Sequence, residues 1–308
     1  MSPYRRGNLY LNIGAIVGEL ISNYFLSLLV FGVYAVTAPL VFGVGLAHGL
    51  SVTVLAFLMW FRSGALLNPA VTFAKVICWA TGLHSRDYFG APTWLSDPLF
   101  GLLYLAAQLG GPLLGLLTLR FLDTLDLLPA IVRTTPNTQV DGLPGSAFLL
   151  QWLLSLCMVW VWMVVSGPRT GVSIKMIAGS IVIGFVVFGV TVVSVYWGTG
   201  SFMHFGLDLA AAVVVRGAGV NTLWLTLLAH MAGAITAVVP VWLGLWLDRL
   251  LEIKLHHGTG DSDHVRLSLF RQAFNTMGIV DGEPLKHLFD VDQPPAGRLH
   301  TIHAEPNF

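Results

Sequence analysis

The chain has 308 residues, of which 55% are hydrophobic and only 10% charged, where an ordinary soluble globular chain carries about a quarter. With 16 basic and 16 acidic side chains the formal net charge is +0, so no surplus of either sign points to nucleic acid or to an acidic partner. Most of the surface must face something other than water, and Cys78 and Cys157, both inside apolar runs, set no disulfide framework.

Crossing a hydrocarbon core takes about 20 residues of mostly apolar helix. In chain order, such spans are expected at Leu9–Tyr34, Pro39–Phe61, Leu99–Leu119, Ala147–Val165, Met176–Trp197 and Thr222–Leu247. The first reads as a retained span, because no small-residue cleavage site leading into a soluble chain follows it. Two further apolar stretches, Leu66–Ala80 and Phe205–Val215, are too short to cross. Such segments are tolerated at membrane depth only when protein or a wet cavity covers them, so both are expected to be re-entrant half-helices. Asp123–Gly145 is the longest connector between spans. From about Lys254 the composition turns polar, with His256, His257, Asp261 and Asp263. A solvated tail is expected there, with apolar spacing at Val265–Ile279 that fits a short surface helix.

Lys and Arg near the span ends set orientation. With a cytoplasmic N-terminus, that side collects Arg5, Arg6, Arg62, Lys75, Arg86, Arg169, Lys175, Arg249 and Lys254, and the other side Arg120, Arg133 and Arg216. Both termini are therefore expected in the cytoplasm. The organisation that follows is a cytoplasmic N-terminus (1–8), a six-span domain (9–250) and a cytoplasmic polar tail (251–308).

The core domain repeats itself. Ser63-Gly64-Ala65-Leu66-Leu67-Asn68-Pro69-Ala70-Val71-Thr72 aligns with Thr199-Gly200-Ser201-Phe202-Met203-His204-Phe205-Gly206-Leu207-Asp208 at a constant offset of 136. Glu19 and Gln151 sit early in the first span of each half, at an offset of 132. Three spans per half give halves of opposite orientation, about 9–121 and 146–250, the inverted-repeat logic of transport proteins.

At these residues the chain resembles the major intrinsic protein family, the aquaporins and aquaglyceroporins, over about Asn8 to Leu250. Ser63-Gly64-Ala65 followed by Asn68-Pro69-Ala70-Val71-Thr72 reads as the family's first Asn-Pro-Ala motif. Ala47-His48-Gly49, Tyr104, Ala107-Gln108 and Glu19 also look like family positions. The second motif departs: where the glycerol-conducting branch has Met-Asn-Pro-Ala-Arg-Asp, this chain has Met203-His204-Phe205-Gly206-Leu207-Asp208, and Gln151 stands where Glu is usual.

The resemblance implies an all-α membrane fold of six transmembrane helices and two re-entrant half-helices. The pore centre would be formed by Asn68, Pro69, Ala70, His204, Phe205 and Gly206. Asn68 is a good helix cap and Pro69 suits a first helical position, which leaves the positive end of the half-helix aimed at the passage. A narrower outer filter is implied at His48, at one of Val190, Thr191 or Val192, at Ser201 and at Leu207. Leu207 replaces an arginine and leaves that constriction more apolar. Glu19, Gln151 and Asp208 are expected to support the re-entrant loops, and Asp208, one turn after His204, can pair with it. His204 is either a pH-sensitive element of the pore or a packed histidine.

The expected function is passive conduction of small uncharged solutes, with water and glycerol transport as the family precedents and a slight tilt to glycerol-sized molecules. No catalytic residues, metal ligands or cofactors are expected, and the partners implied are the lipid bilayer and three further copies in a homotetramer. A second expectation, motivated by the rewritten motif, is a poorly conducting protein of the same fold with a structural or junctional role.

Overall fold

The computed structural model describes residues 3–37, 41–80, 98–122, 139–140, 143–166, 175–199, 201–215 and 218–258. The chain divides into two compact units, Met1–Leu245 and Trp246–Phe308; of the second, only the helical stretch 246–258 is described. The expected surface helix Val265–Ile279 and most of the connector 123–145 lie outside the described residues.

The first unit is built of helices. We label them α1 (Pro3–Thr37), α2 (Val41–Ser63), α3 (Pro69–Ala80), α4 (Pro98–Leu122), α5 (Ser146–Val165), α6 (Ser180–Tyr196), α7 (Phe205–Val215) and α8 (Leu223–Gly258). A π-turn at Lys175–Gly179 leads into α6, and a 3-10 turn at Ala218–Thr222 into α8. Gln139–Val140 and Leu143–Pro144 form a small antiparallel pair in the connector before α5.

Six segments are long and apolar enough to cross a membrane: Ile13–Tyr34, Val41–Trp60, Phe100–Leu122, Ser146–Val165, Met176–Tyr196 and Val220–Gly244. They match the expected spans to within a few residues at each end. The helices themselves run further: α1 begins at Pro3 and α8 continues to Gly258, because backbone hydrogen bonding carries on beyond the apolar stretch. α3 and α7 are the two short apolar helices. The expected segment from Leu66 enters its helix only at Pro69, since Leu67 adopts a positive φ of 49°.

The burial pattern inverts that of a water-soluble bundle. On α1, Ile13, Val17, Ile21, Phe25 and Leu29 recur every fourth residue and are exposed, while Glu19, Ser22, Asn23 and Ser27 on the other side are wholly buried. Large apolar side chains likewise face outward on α2, α4, α5, α6 and α8. An apolar exterior around an interior that mixes apolar side chains with hydrogen-bonded polar ones is stable in lipid, where outward-facing Leu and Phe cost nothing and inward polar groups find partners. The chain is a multi-pass membrane protein.

Close helix packing uses glycine where a side chain would collide. A Cβ added at Gly111 of α4 would stand 2.8 Å from Asn23 Cβ and 2.9 Å from Tyr24 N of α1. One added at Gly233 of α8 would stand 2.7 Å from Ser155 Cβ and 2.9 Å from Leu156 N of α5. Small residues at helix contacts are what lets backbones approach this closely in a membrane.

Candidate functional site

The N-termini of α3 and α7 meet in the interior, and each is capped by the residue before it. Asn68 Oδ1 accepts from the Ala70 amide at 2.9 Å, an ordinary asparagine cap. His204 fills the same place before α7, with Nδ1 3.3 Å from the Leu207 amide. Imidazole can replace a carboxamide here because one ring nitrogen carries a lone pair where asparagine carries its oxygen.

Each cap also reaches across to the other loop. Asn68 Nδ2 donates to Met203 O at 2.9 Å, and His204 Nε2 lies 2.6 Å from Leu67 O. The two acceptors immediately precede the two caps. Both hold a positive φ, 49° at Leu67 and 55° at Met203, a conformation costing a non-glycine residue about 1–2 kcal/mol. That backbone twist turns each carbonyl toward the opposite cap.

The partners of His204 fix its tautomer. Nε2 faces two acceptors, Leu67 O and, at 2.8 Å, Asn23 Oδ1, while Nδ1 faces an amide donor. Only the neutral ring with its proton on Nε2 satisfies all three. Asn23 is held for this contact by its own Nδ2, which donates to Glu19 O one turn back at 2.9 Å.

The loop before α3 is organised by one carboxylate. Glu19 Oε1 accepts from Ser63 Oγ at 2.6 Å and from the Leu66 amide at 3.1 Å; Oε2 accepts from the Leu67 amide and from Gln108 Nε2, both at 2.8 Å. Gln108 Oε1 in turn accepts from Thr72 Oγ1 on α3 at 2.8 Å, and Tyr104 Oη donates to Ser63 O at 3.0 Å. Four donors on one buried carboxylate make it a strong organiser of the backbone around it.

The loop before α7 is held differently. The Asp208 carboxylate does not pair with the His204 ring, although its spacing allows it. Its carboxylate turns back, accepting from the Phe202 amide at 2.9 Å and from Ser201 Oγ at 2.8 Å. Gln151, at the place corresponding to Glu19, is wholly buried, and neither its Oε1 nor its Nε2 has a hydrogen-bond partner among the described residues. Support of this loop therefore comes from Asp208 of its own helix and from Ser194 of α6, whose Oγ donates to Ser201 O at 2.6 Å, rather than from α5. Gly206 sits where Ala70 sits in α3. A Cβ there would collide with Gln108 O, a carbonyl that Pro112, lacking an N–H, cannot serve.

Of the expected filter residues, two are in contact. His48 Nδ1 lies 2.9 Å from Thr191 Oγ1, which selects Thr191 among the three fifth-span candidates as the partner of His48. Val190 is buried, and Val192 packs toward Gly45 of α2. Phe202, which the sequence did not single out, stacks edge-on with His48 at a ring separation of 6.3 Å and with Phe31 at 5.2 Å. The loop residue Ser201, besides its bond to Asp208, lies 3.3 Å from Nε2 of His230 on α8. His230, Asn23 and Phe202 were legible only as a polar residue inside an apolar span, or as one residue beyond a motif position.

These groups are sealed. His48 and His204 are 2% and 1% exposed, Asn68 is 4% exposed, and Phe202, Thr191, Ser201 and Leu207 are 0% exposed. Phe205 is half-buried at the start of α7. Among the described residues, no three His, Cys, Asp or Glu side chains converge closely enough to hold a metal ion. Comparison with known proteins finds no family model and no curated protein that matches this chain.

Proposed function

We propose that this chain is an aquaporin-like channel for small uncharged solutes, closed in the present conformation. In this reading α3 and α7 are re-entrant half-helices of an inverted repeat, and both termini face the cytoplasm. The observation that carries it is the reciprocal pair of cap-to-carbonyl bonds, Asn68 to Met203 and His204 to Leu67. Two helix N-termini facing one another create a positive, donor-rich centre that rejects cations, which suits neutral solutes and gives no grip on charged ones.

Closure is supported at two levels. At the centre, the His204 ring spans from its own loop to Leu67 O and Asn23, while Asn68 Nδ2, the donor such a centre would offer to a passing oxygen, directs its two protons to Met203 O and Met158 Sδ. On the filter side, Phe202 fills the space beside His48, with Leu207 contributing an apolar wall. Apolar constrictions close pores by excluding water. The resemblance to a tetrameric family makes a homotetramer part of the proposal, with the outward apolar faces shared between lipid and neighbouring subunits.

The burial of His48, Thr191, Ser201 and Leu207 also favours a second reading, a protein that keeps the fold for a structural or junctional role and conducts little. Stopped-flow light scattering on proteoliposomes separates the two. Phe202→Gly combined with His204→Asn raises water or glycerol flux if the passage is a closed channel, and leaves it at the empty-vesicle level if no passage exists.

A further inference from the structure

The two helix pairs α1/α4 and α5/α8 share a close glycine contact at matching positions, and one pair lacks side-chain material that the other has. Gly111 against Asn23 and Tyr24 corresponds to Gly233 against Ser155 and Leu156, with approach distances agreeing within 0.1 Å. The pairing is fixed by offsets of 132 for α1 to α5 and 122 for α4 to α8. Under it, Glu19 corresponds to Gln151, Gln108 to His230 and Tyr104 to Thr226.

In α1/α4 the three positions form a closed network. Gln108 donates to Glu19, and the Tyr104 ring reaches across to Ser63 O. In α5/α8 every substitution shortens or removes a link. Thr226 has lost the bulk of a phenol ring. His230 is shorter than an extended glutamine, and its ring turns to Ser201. Left behind are four buried polar atoms without partners among the described residues: Gln151 Oε1, Gln151 Nε2, Thr226 Oγ1 and His230 Nδ1. Gln151, Thr226 and His230 are at most 2% exposed. Thr226 and His230 lie one turn apart on α8, Gln151 and Ser155 one turn apart on α5, and Ser155 Oγ touches His230 O at 3.3 Å, so the orphan groups occupy facing turns of packed helices.

The hydrogen-bonding roles are complementary. Ser201 gives its proton to the Asp208 carboxylate and accepts from the Met203 amide at 3.1 Å, so His230 must present Nε2–H to Ser201 and a lone pair at Nδ1. A water molecule can donate to Nδ1 and to Gln151 Oε1 while accepting from Gln151 Nε2 or from Thr226. Three or so partners in a buried polar space are the usual surroundings of an internal water. We propose that one or two buried waters bind between Gln151, Thr226 and His230, extending the Ser201–Asp208 loop support to α5. The site deepens the paired-half reading of the fold but does not depend on conduction.

A high-resolution cryo-electron microscopy map of the full chain in lipid nanodiscs tests this. The expected result is density within hydrogen-bond distance of both Gln151 and His230 Nδ1. Gln151→Leu should then lower the thermal midpoint by about 3 °C, and Thr226→Tyr, which restores the ring present in α4, should displace the density without that loss. No density, together with a midpoint that rises in Gln151→Leu because two orphan atoms are gone, would overturn the proposal. Elongated density that tracks added glycerol would also overturn it, by making the occupant a solute. The same map shows whether Asn68 meets Met203 and His204 meets Leu67: loss of those contacts indicts the paired-half reading, whereas a dry site beside intact contacts indicts only the water.

Discussion

His204 shows how one side chain can take over two tasks of an asparagine at a helix cap. Its Nδ1 holds the start of α7 and its Nε2–H bridges to Leu67 O and Asn23. Both tasks need the neutral ring. A second proton would set Nδ1–H against the Leu207 N–H and break the cap. The charged or titratable groups around it are Glu19 on α1, His48 on α2, Asp208 on α7 and His230 on α8. In a Phe202→Gly background, where the filter side is no longer filled, acidification is therefore expected to raise solute flux, and adding His204→Gln, which cannot take up that proton, should abolish that step in a pH series of vesicle permeability. The sequence identified His204 as the replaced cap but not its partners, because Asn23 and Leu67 lie 181 and 137 positions away. Helical spacing also allows a His204–Asp208 pair, whereas the carboxylate accepts from the Phe202 amide and Ser201 Oγ, a stronger interaction than a neutral ring offers.

The short helices and the spans that brace them were the part most legible in advance. Continuous apolar length gave six spans, and the cap-plus-proline start of Asn68-Pro69 marked α3. What could not be seen was which acceptor holds each loop. Glu19 carries four donors; Glu19→Gln would turn an amide toward groups that are all donors, and we expect it to lower stability by about 3 kcal/mol, read as a fall in thermal midpoint in detergent. Asp208→Asn should likewise loosen the loop before α7, with about 2 kcal/mol lost and increased protease sensitivity near Ser201. Arg120 Nη1 donates to Val214 O at the last turn of α7 at 2.8 Å. Removing it in Arg120→Ala should cost about 0.5 kcal/mol. Gly111→Val and Gly233→Val should each destabilise by about 1–3 kcal/mol. Because their surroundings match, the two losses should agree, and a large disparity in measured midpoints would argue against equivalent halves.

Across the first unit, an apolar exterior surrounds an interior in which polar groups are gathered at the junction of two helix N-termini. Composition and span lengths announced the shell. The closure of the interior was not legible, because it depends on where Phe202 and His204 point once the loops are folded. Beside Ser201, the neighbouring Phe202 adds an aromatic ring packed against His48 and Phe31, which the apolar replacement at Leu207 alone does not reveal. The measurement that bears most directly on this account is water and glycerol permeability of proteoliposomes carrying the wild type and the Phe202→Gly/His204→Asn double variant at neutral pH. The account predicts low flux through the wild type and a several-fold rise in the folded double variant. A double variant that is folded and inserted yet no more permeable than empty vesicles would contradict it.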